Sequence, residues 1–168
     1  MSIFWIFIII LVLQRISELF LAKRNENFVK QRGAVEYDAK GYKVIVLMHI
    51  AFFVSLIAEY IFLQTSLSPY WPALLVIFIF TQILRYWAIS SLGQYWNTKI
   101  LVIPGSQAIA SGPYKYIKHP NYLAVIIEIA VIPLIFSCYI TASIFTVLNL
   151  ILLRRRINIE ESALSQLK

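Results

Sequence analysis

A single cysteine, Cys138, excludes an internal disulfide and any thiolate metal cluster, and its apolar surroundings make plain packing its expected use. The chain has only two histidines, His49 and His119, with no second histidine near His49, so no metal site is expected. Charge is scarce too: 14% of the residues are Asp, Glu, Lys or Arg, against roughly 25% in a soluble domain. No internal repeat, low-complexity tract or linker divides the sequence, and residues 1–168 read as one domain.

Hydrophobicity takes the place of charge. Apolar residues make up 60% of the chain, in runs near or above the ~18 residues that mark a spanning helix. The expected fold is an all-α, polytopic integral membrane protein with about five transmembrane helices, near residues 3–22, 42–63, 70–91, 120–137 and 138–154. Ile3 to Leu13 has no basic stretch before it and no small-residue cleavage site after it, which makes it a retained first helix rather than a secretory signal. The last two spans are short, are joined tightly near Pro133 to Ser137, and read as a helical hairpin.

The basic residues give the layout an orientation. Of fifteen Lys and Arg, all but Arg15 and Arg85 fall outside the spans or, as Lys43 and Arg154 do, at their very ends, and five crossings put those thirteen on one side. The connections near 64–69 and 134–137 carry no charge. That makes the basic face cytoplasmic, with the N-terminus outside and the C-terminus inside the cell membrane. The net charge of +7 then follows from topology and anionic lipid headgroups and calls for no nucleic-acid partner. No obligate protein partner is indicated. Segment 23–41 reads as a polar cytoplasmic connection or amphipathic helix, and residues 92–119 form the longest loop.

Several ionisable residues fall at membrane depth. Arg15 and Glu18 share a helix face and are expected to pair. Glu59, near the outer end of the second span, reads as reaching the headgroups. Arg85 either snorkels to the interface or turns inward to meet an anion. His49 is either a hydrogen-bonded structural residue or a catalytic one. Glu128 is the only charge in the fourth span, so it must be protonated, paired or open to a polar cavity. Asn121 lies two turns before it and points the same way.

The most polar cluster between apolar segments is Gly112-Pro113-Tyr114-Lys115-Tyr116-Ile117-Lys118-His119-Pro120-Asn121-Tyr122. Pro120 suits the first turn of a helix, where its missing N–H costs nothing. His119 and Asn121 then flank a helix N-terminus, a seat for a carboxylate or other anion. In the tail, Arg156 and Glu160 are spaced to share a helix face. An interfacial anchor explains arginines there but not the adjacent Glu160 and Glu161. Both signs together suit a ligand that carries an amino group and a carboxylate.

The run from Gly112 to Tyr122, with Arg156 followed by Glu160-Glu161, resembles the isoprenylcysteine carboxyl methyltransferase family of membrane methyltransferases. Leu92-Gly93-Gln94-Tyr95-Trp96, Gln14 to Leu19, Arg24-Asn25 and Gly33 to Glu36 extend the likeness toward its short bacterial members. The resemblance implies S-adenosylmethionine as cofactor, held by residues 92–168 between the last two spans and the cytoplasmic loops. It places Gln94, Tyr114, His119, Pro120, Tyr122 and Glu128 in or beside the cofactor pocket, with Tyr116 lining it from the turn. Arg156 and Glu160 are the implied catalytic pair near the transferred methyl, and Glu161 stands beside them on the cofactor. The implied substrate is a lipophilic small molecule arriving laterally from the bilayer.

The expected reaction is O-methylation of a carboxylate or acidic hydroxyl, with alkylpyrones and prenylated or long-chain acids as candidate acceptors. The alternatives are N- or S-methylation of a lipid or thiol, an NADPH-dependent membrane reductase of the steroid-reductase kind, and a non-enzymatic membrane scaffold.

Overall fold

The computed structural model describes residues 2–107 and 109–165. Five α-helices account for most of it: α1 (Ile3–Lys30), α2 (Ala39–Phe62), α3 (Trp71–Leu92), α4 (Pro120–Ile135) and α5 (Tyr139–Ser165). By length and composition α1, α2 and α3 can cross a membrane, and α4 is a shorter apolar helix. The chain is therefore an all-α protein that spans the membrane more than once.

Two short strands, β1 (Val35–Tyr37) and β2 (Ile100–Val102), pair antiparallel with Val35 opposite Val102 and Tyr37 opposite Ile100. The sequence reading did not anticipate them. They pin the segment after α1 to the loop after α3, and α1 itself runs on past the expected span to Lys30, so the first part of segment 23–41 is helical. Asn25 holds the same loop, donating to the carbonyls of Gly93 at 3.1 Å and Trp96 at 2.8 Å.

Inside a bilayer, helices gain little from excluding water, so side-chain packing and polar contacts must join them. The apolar core runs through α1, α2, α4 and α5, with Phe4, Leu11, Phe52, Leu56, Ile132 and Phe145 buried in it. Phe4 stacks on Tyr60, and Phe52 meets Phe145 edge-on at 5.7 Å.

The polar joint is a four-charge cluster. Arg85 of α3 donates from Nε to Glu128 of α4 at 2.8 Å and from Nη2 to its second oxygen. Arg15 of α1 also donates to Glu128, and it pairs with Glu18 at 2.7 Å. Gln82 completes the Glu128 shell at 2.7 Å. Two arginines against two glutamates leave no net charge, which is how ions are tolerated at this depth. Of the two readings of Arg85, the inward one holds: it is 2% exposed.

Glu59 departs from its expected place at the headgroups. It is buried and accepts from the backbone N–H of Ile140 at 3.0 Å and Thr141 at 2.7 Å, capping the start of α5. Four N–H groups are orphaned at any helix start, and a carboxylate there also faces the positive end of the helix dipole. His49 Nδ1 lies 2.8 Å from the Ile45 carbonyl, the hydrogen-bonded arrangement of its structural reading.

Candidate functional site

Two segments far apart in sequence meet at one end of the helix bundle. Pro120 stands at the first position of α4 and sets His119 just outside and Asn121 and Tyr122 just inside its first turn. α5 continues as helix past residue 154, so Arg156, Glu160 and Ala163 stay on one face. Asp38 and Gly41 at the start of α2 anchor that tail: Arg155 grips the Asp38 carboxylate at 2.8 and 2.9 Å. A Cβ on Gly41 would overlap both the Asp38 carboxylate and Arg155, so that close approach requires glycine.

Tyr122 links the pair from the tail. Arg156 Nε donates to the Tyr122 hydroxyl at 2.8 Å, and that hydroxyl donates to Glu160. Arg156 Nη2 donates to the Thr98 carbonyl at 2.6 Å. Arg156 is buried, yet among the described residues no carboxylate lies within salt-bridge distance of it. Its hydrogen bonds go to a phenol and a backbone carbonyl.

His119 stacks on Tyr122 with ring centroids 5.4 Å apart. Its Nε2 lies 3.3 Å from Glu161, and its Nδ1 lies 3.9 Å from Glu160. Lys118 stands 3.6 Å from Glu161. The hydrogen bond with His119, reinforced by the Lys118 charge, holds the Glu161 carboxyl below its ordinary range. Burial, and then the negative charge of Glu160, push the Tyr114 hydroxyl up to about 12. It stays protonated at neutral pH and remains a hydrogen-bond donor.

The turn that carries Tyr114 is packed against α3. Gly112 sits at φ +55, a left-handed conformation that favours glycine, and a Cβ there would strike Ser91 and approach Trp87 Nε1 at 3.0 Å. Ser111 donates to the Ser91 carbonyl at 3.0 Å from the same turn.

The fold thus brings Tyr114, His119, Pro120, Tyr122, Arg156, Glu160 and Glu161 to one end. Three other sequence candidates stand apart. Tyr116 is 81% exposed. Gln94 lines a separate cavity of about 380 Å³ with Arg24, Asn25, Asn27, Phe28 and Gln31. Glu128 spends its oxygens on Arg15, Arg85 and Gln82. Sequence reasoning missed Thr98, which enters through a backbone carbonyl and so leaves no side-chain signal. Asn121 Oδ1 is buried without a hydrogen-bond partner beside Tyr122.

Residues 74–166 match the model of the isoprenylcysteine carboxyl methyltransferase (ICMT) family. The chain is 47% identical over 163 residues to the uncharacterized protein YpbQ of Bacillus subtilis (strain 168), a match that covers 97% of each chain. It is 31% identical over 154 residues to an uncharacterized protein of Haemophilus influenzae, covering 91% of this chain and 90% of the other. No solved structure matches it. The family match contains the α4 start and the α5 tail that the fold joins. The chain belongs to the isoprenylcysteine carboxyl methyltransferase family, and that membership makes it an S-adenosylmethionine-dependent methyltransferase acting at a membrane face on a lipophilic substrate.

Proposed function

We propose that the chain O-methylates a carboxylate or acidic hydroxyl of a lipophilic acceptor, with Arg156 and Glu160 beside the reacting oxygen. The observation that carries this is the buried Arg156 guanidinium, whose partners are both neutral. A buried cation without an anion is costly, and an anionic ligand relieves that cost. A carboxylate acceptor provides the anion and is already ionised near neutral pH, so no base is needed. For a less acidic hydroxyl, Glu160 is the group placed to take the proton.

The residues at the start of α4 fit the family's cofactor. Asn121 Oδ1 is a buried acceptor without a donor, suited to an ammonium or an adenine amine. The first-turn N–H groups of α4 suit a carboxylate. The stacked His119 and Tyr122 rings present aromatic faces, which attract a sulfonium. When bound, S-adenosylmethionine supplies an electrophilic methyl, which forms a bond to the acceptor oxygen as its bond to sulfur breaks and leaves a neutral thioether. Arg156 and Tyr122 keep the oxygen in line and exclude water; alignment and fixed electrostatics are what such a displacement requires.

This reading takes residues 1–168 as one domain with five crossings, α4 and α5 included, and with the site on the cytoplasmic face. The one-sided placement of basic residues supports it. A cysteine at Ser66 should then react with an impermeant maleimide from outside, and one at Ser162 only from inside.

The decisive experiment incubates purified protein with a host lipid extract and isotopically labelled cofactor, followed by mass spectrometry. A labelled methyl ester or enol ether is expected. Label found only on nitrogen or sulfur would overturn the O-methylation reading.

A further inference from the structure

The polar groups of the helix interior are nearly all matched. Ser55 pairs with Thr141 at 2.9 Å, Thr81 donates to the Ile77 carbonyl at 2.8 Å, and Glu59 and Glu128 have the partners already described. Apart from Asn121 Oδ1 at the start of α4, the exception among the described helix residues is Asn149 of α5. It is 1% exposed, and neither its Nδ2 nor its Oδ1 has a hydrogen-bond partner. Among the described residues no other side chain leaves both a buried donor and a buried acceptor unmatched.

Its position ties it to the site. Seven residues make about two helical turns, so Asn149 lies within ~20° of Arg156 around α5 and ~10.5 Å from it along the axis. Phe145, Asn149, Leu153 and Arg156 form one buried stripe on α5, and Glu160 continues it. Across the seam, the Phe52–Phe145 and Ser55–Thr141 contacts set Met48 level with Asn149, so α2 offers an apolar residue there. Packing alone needs no amide at this point, because leucine has the same branched heavy-atom skeleton without the polar atoms.

We propose that Asn149 is a specificity-determining residue for the acceptor. It pairs with a group that both donates and accepts, a hydroxyl or an amide, set within the alkyl part about 10 Å from the oxygen held by Arg156, the rise of two helical turns. This rests on the O-methylation reading for the identity of the reacting end. The substrate class is then a long-chain acid or enol with a mid-chain polar group, rather than a plain alkyl chain.

The test compares octadecanoic acid with its mid-chain hydroxylated counterpart as probes. Each is added to the full-length protein in detergent with S-adenosylhomocysteine, and thermal stability is read. The hydroxylated acid should raise the wild-type midpoint by several degrees more than octadecanoic acid does. In Asn149→Leu the two acids should act equally, on a protein whose own midpoint is higher because the unmatched amide is gone. Asn149→Ala, which adds no alkyl bulk, should lose the same difference. Equal shifts in the wild type, or a difference that survives in both variants, would overturn the proposal. A binding preference without methyl transfer to either acid would support Asn149 and count against O-methylation alone.

Discussion

The Tyr122 hydroxyl stands between Arg156 and Glu160, accepting from Arg156 Nε at 2.8 Å and donating to the Glu160 carboxylate. One phenol therefore links both charged groups. Tyr122→Phe removes a hydrogen bond to each. Bonds to charged groups contribute roughly 1.5–3 kcal/mol, so kcat/KM for the acceptor should fall ~10- to 100-fold. Initial rates with varied acceptor check this. An unchanged kcat/KM would remove Tyr122 from the positioning role.

Arg156→Ala should reduce transfer at least ~100-fold, the scale for losing a positioned charge stabiliser. It should leave the protein inserted and folded, because the partners it abandons are a phenol and one carbonyl. Radiolabel transfer and a melting curve on the same preparation separate the two effects. Full turnover would sink the assignment.

Glu128 should behave in the opposite way. Glu128→Ala leaves Arg15 and Arg85 to share Glu18 alone at membrane depth, and breaking a buried pair costs roughly 3–5 kcal/mol. Folding yield and thermal midpoint should drop sharply, while molecules that do fold should bind S-adenosylhomocysteine with wild-type affinity. A lost affinity at unchanged stability would instead place Glu128 in the cofactor pocket.

Glu59→Gln keeps the shape of the α5 cap but loses its charge, and Glu59→Ala loses both hydrogen bonds. Caps are typically worth ~1 kcal/mol, so the alanine variant should unfold at lower temperature than the glutamine one. Neither should change kcat, since Arg156 and Glu160 stand toward the other end of α5.

Tyr114 provides a pH test. Its hydroxyl is raised from 10.0 to about 12 by burial and the Glu160 charge. The folded state thus holds a proton that the unfolded state releases. Stability linked to this group is present below pH ~10 and is lost as pH rises through its folded value. An ultraviolet titration of wild type against Tyr114→Phe should show that phenolate forming above the ordinary tyrosine range. Ionisation in the ordinary range would mean that Tyr114 is neither buried nor faced by Glu160.

Some of this arrangement was legible from residue order alone. Long apolar runs exclude water-exposed backbone, so the helices at the five expected places follow from local hydrogen bonding. Pro120 marked the start of α4 because only a first turn tolerates its missing N–H. Arg15 and Glu18 pair as their spacing requires, and Arg156 and Glu160 share a face once α5 stays helical. These are local regularities with a short period.

What residue order could not supply were contacts between elements distant along the chain. The sequence required Glu128 to be protonated, paired or open to a polar cavity, and only burial beside α1 and α3 settled on pairing, with two arginines. Glu59 looked like a headgroup residue, and only the packing of α2 on α5 made it a cap. The β1–β2 pair is too short to show a period, and Thr98 acts through a carbonyl that every residue has. Composition and periodicity determined the class of this protein because they act through the nearest turns. Partner choice for each buried charge was left to tertiary structure, because in a low-dielectric interior a charge takes whichever opposite group the fold brings within reach.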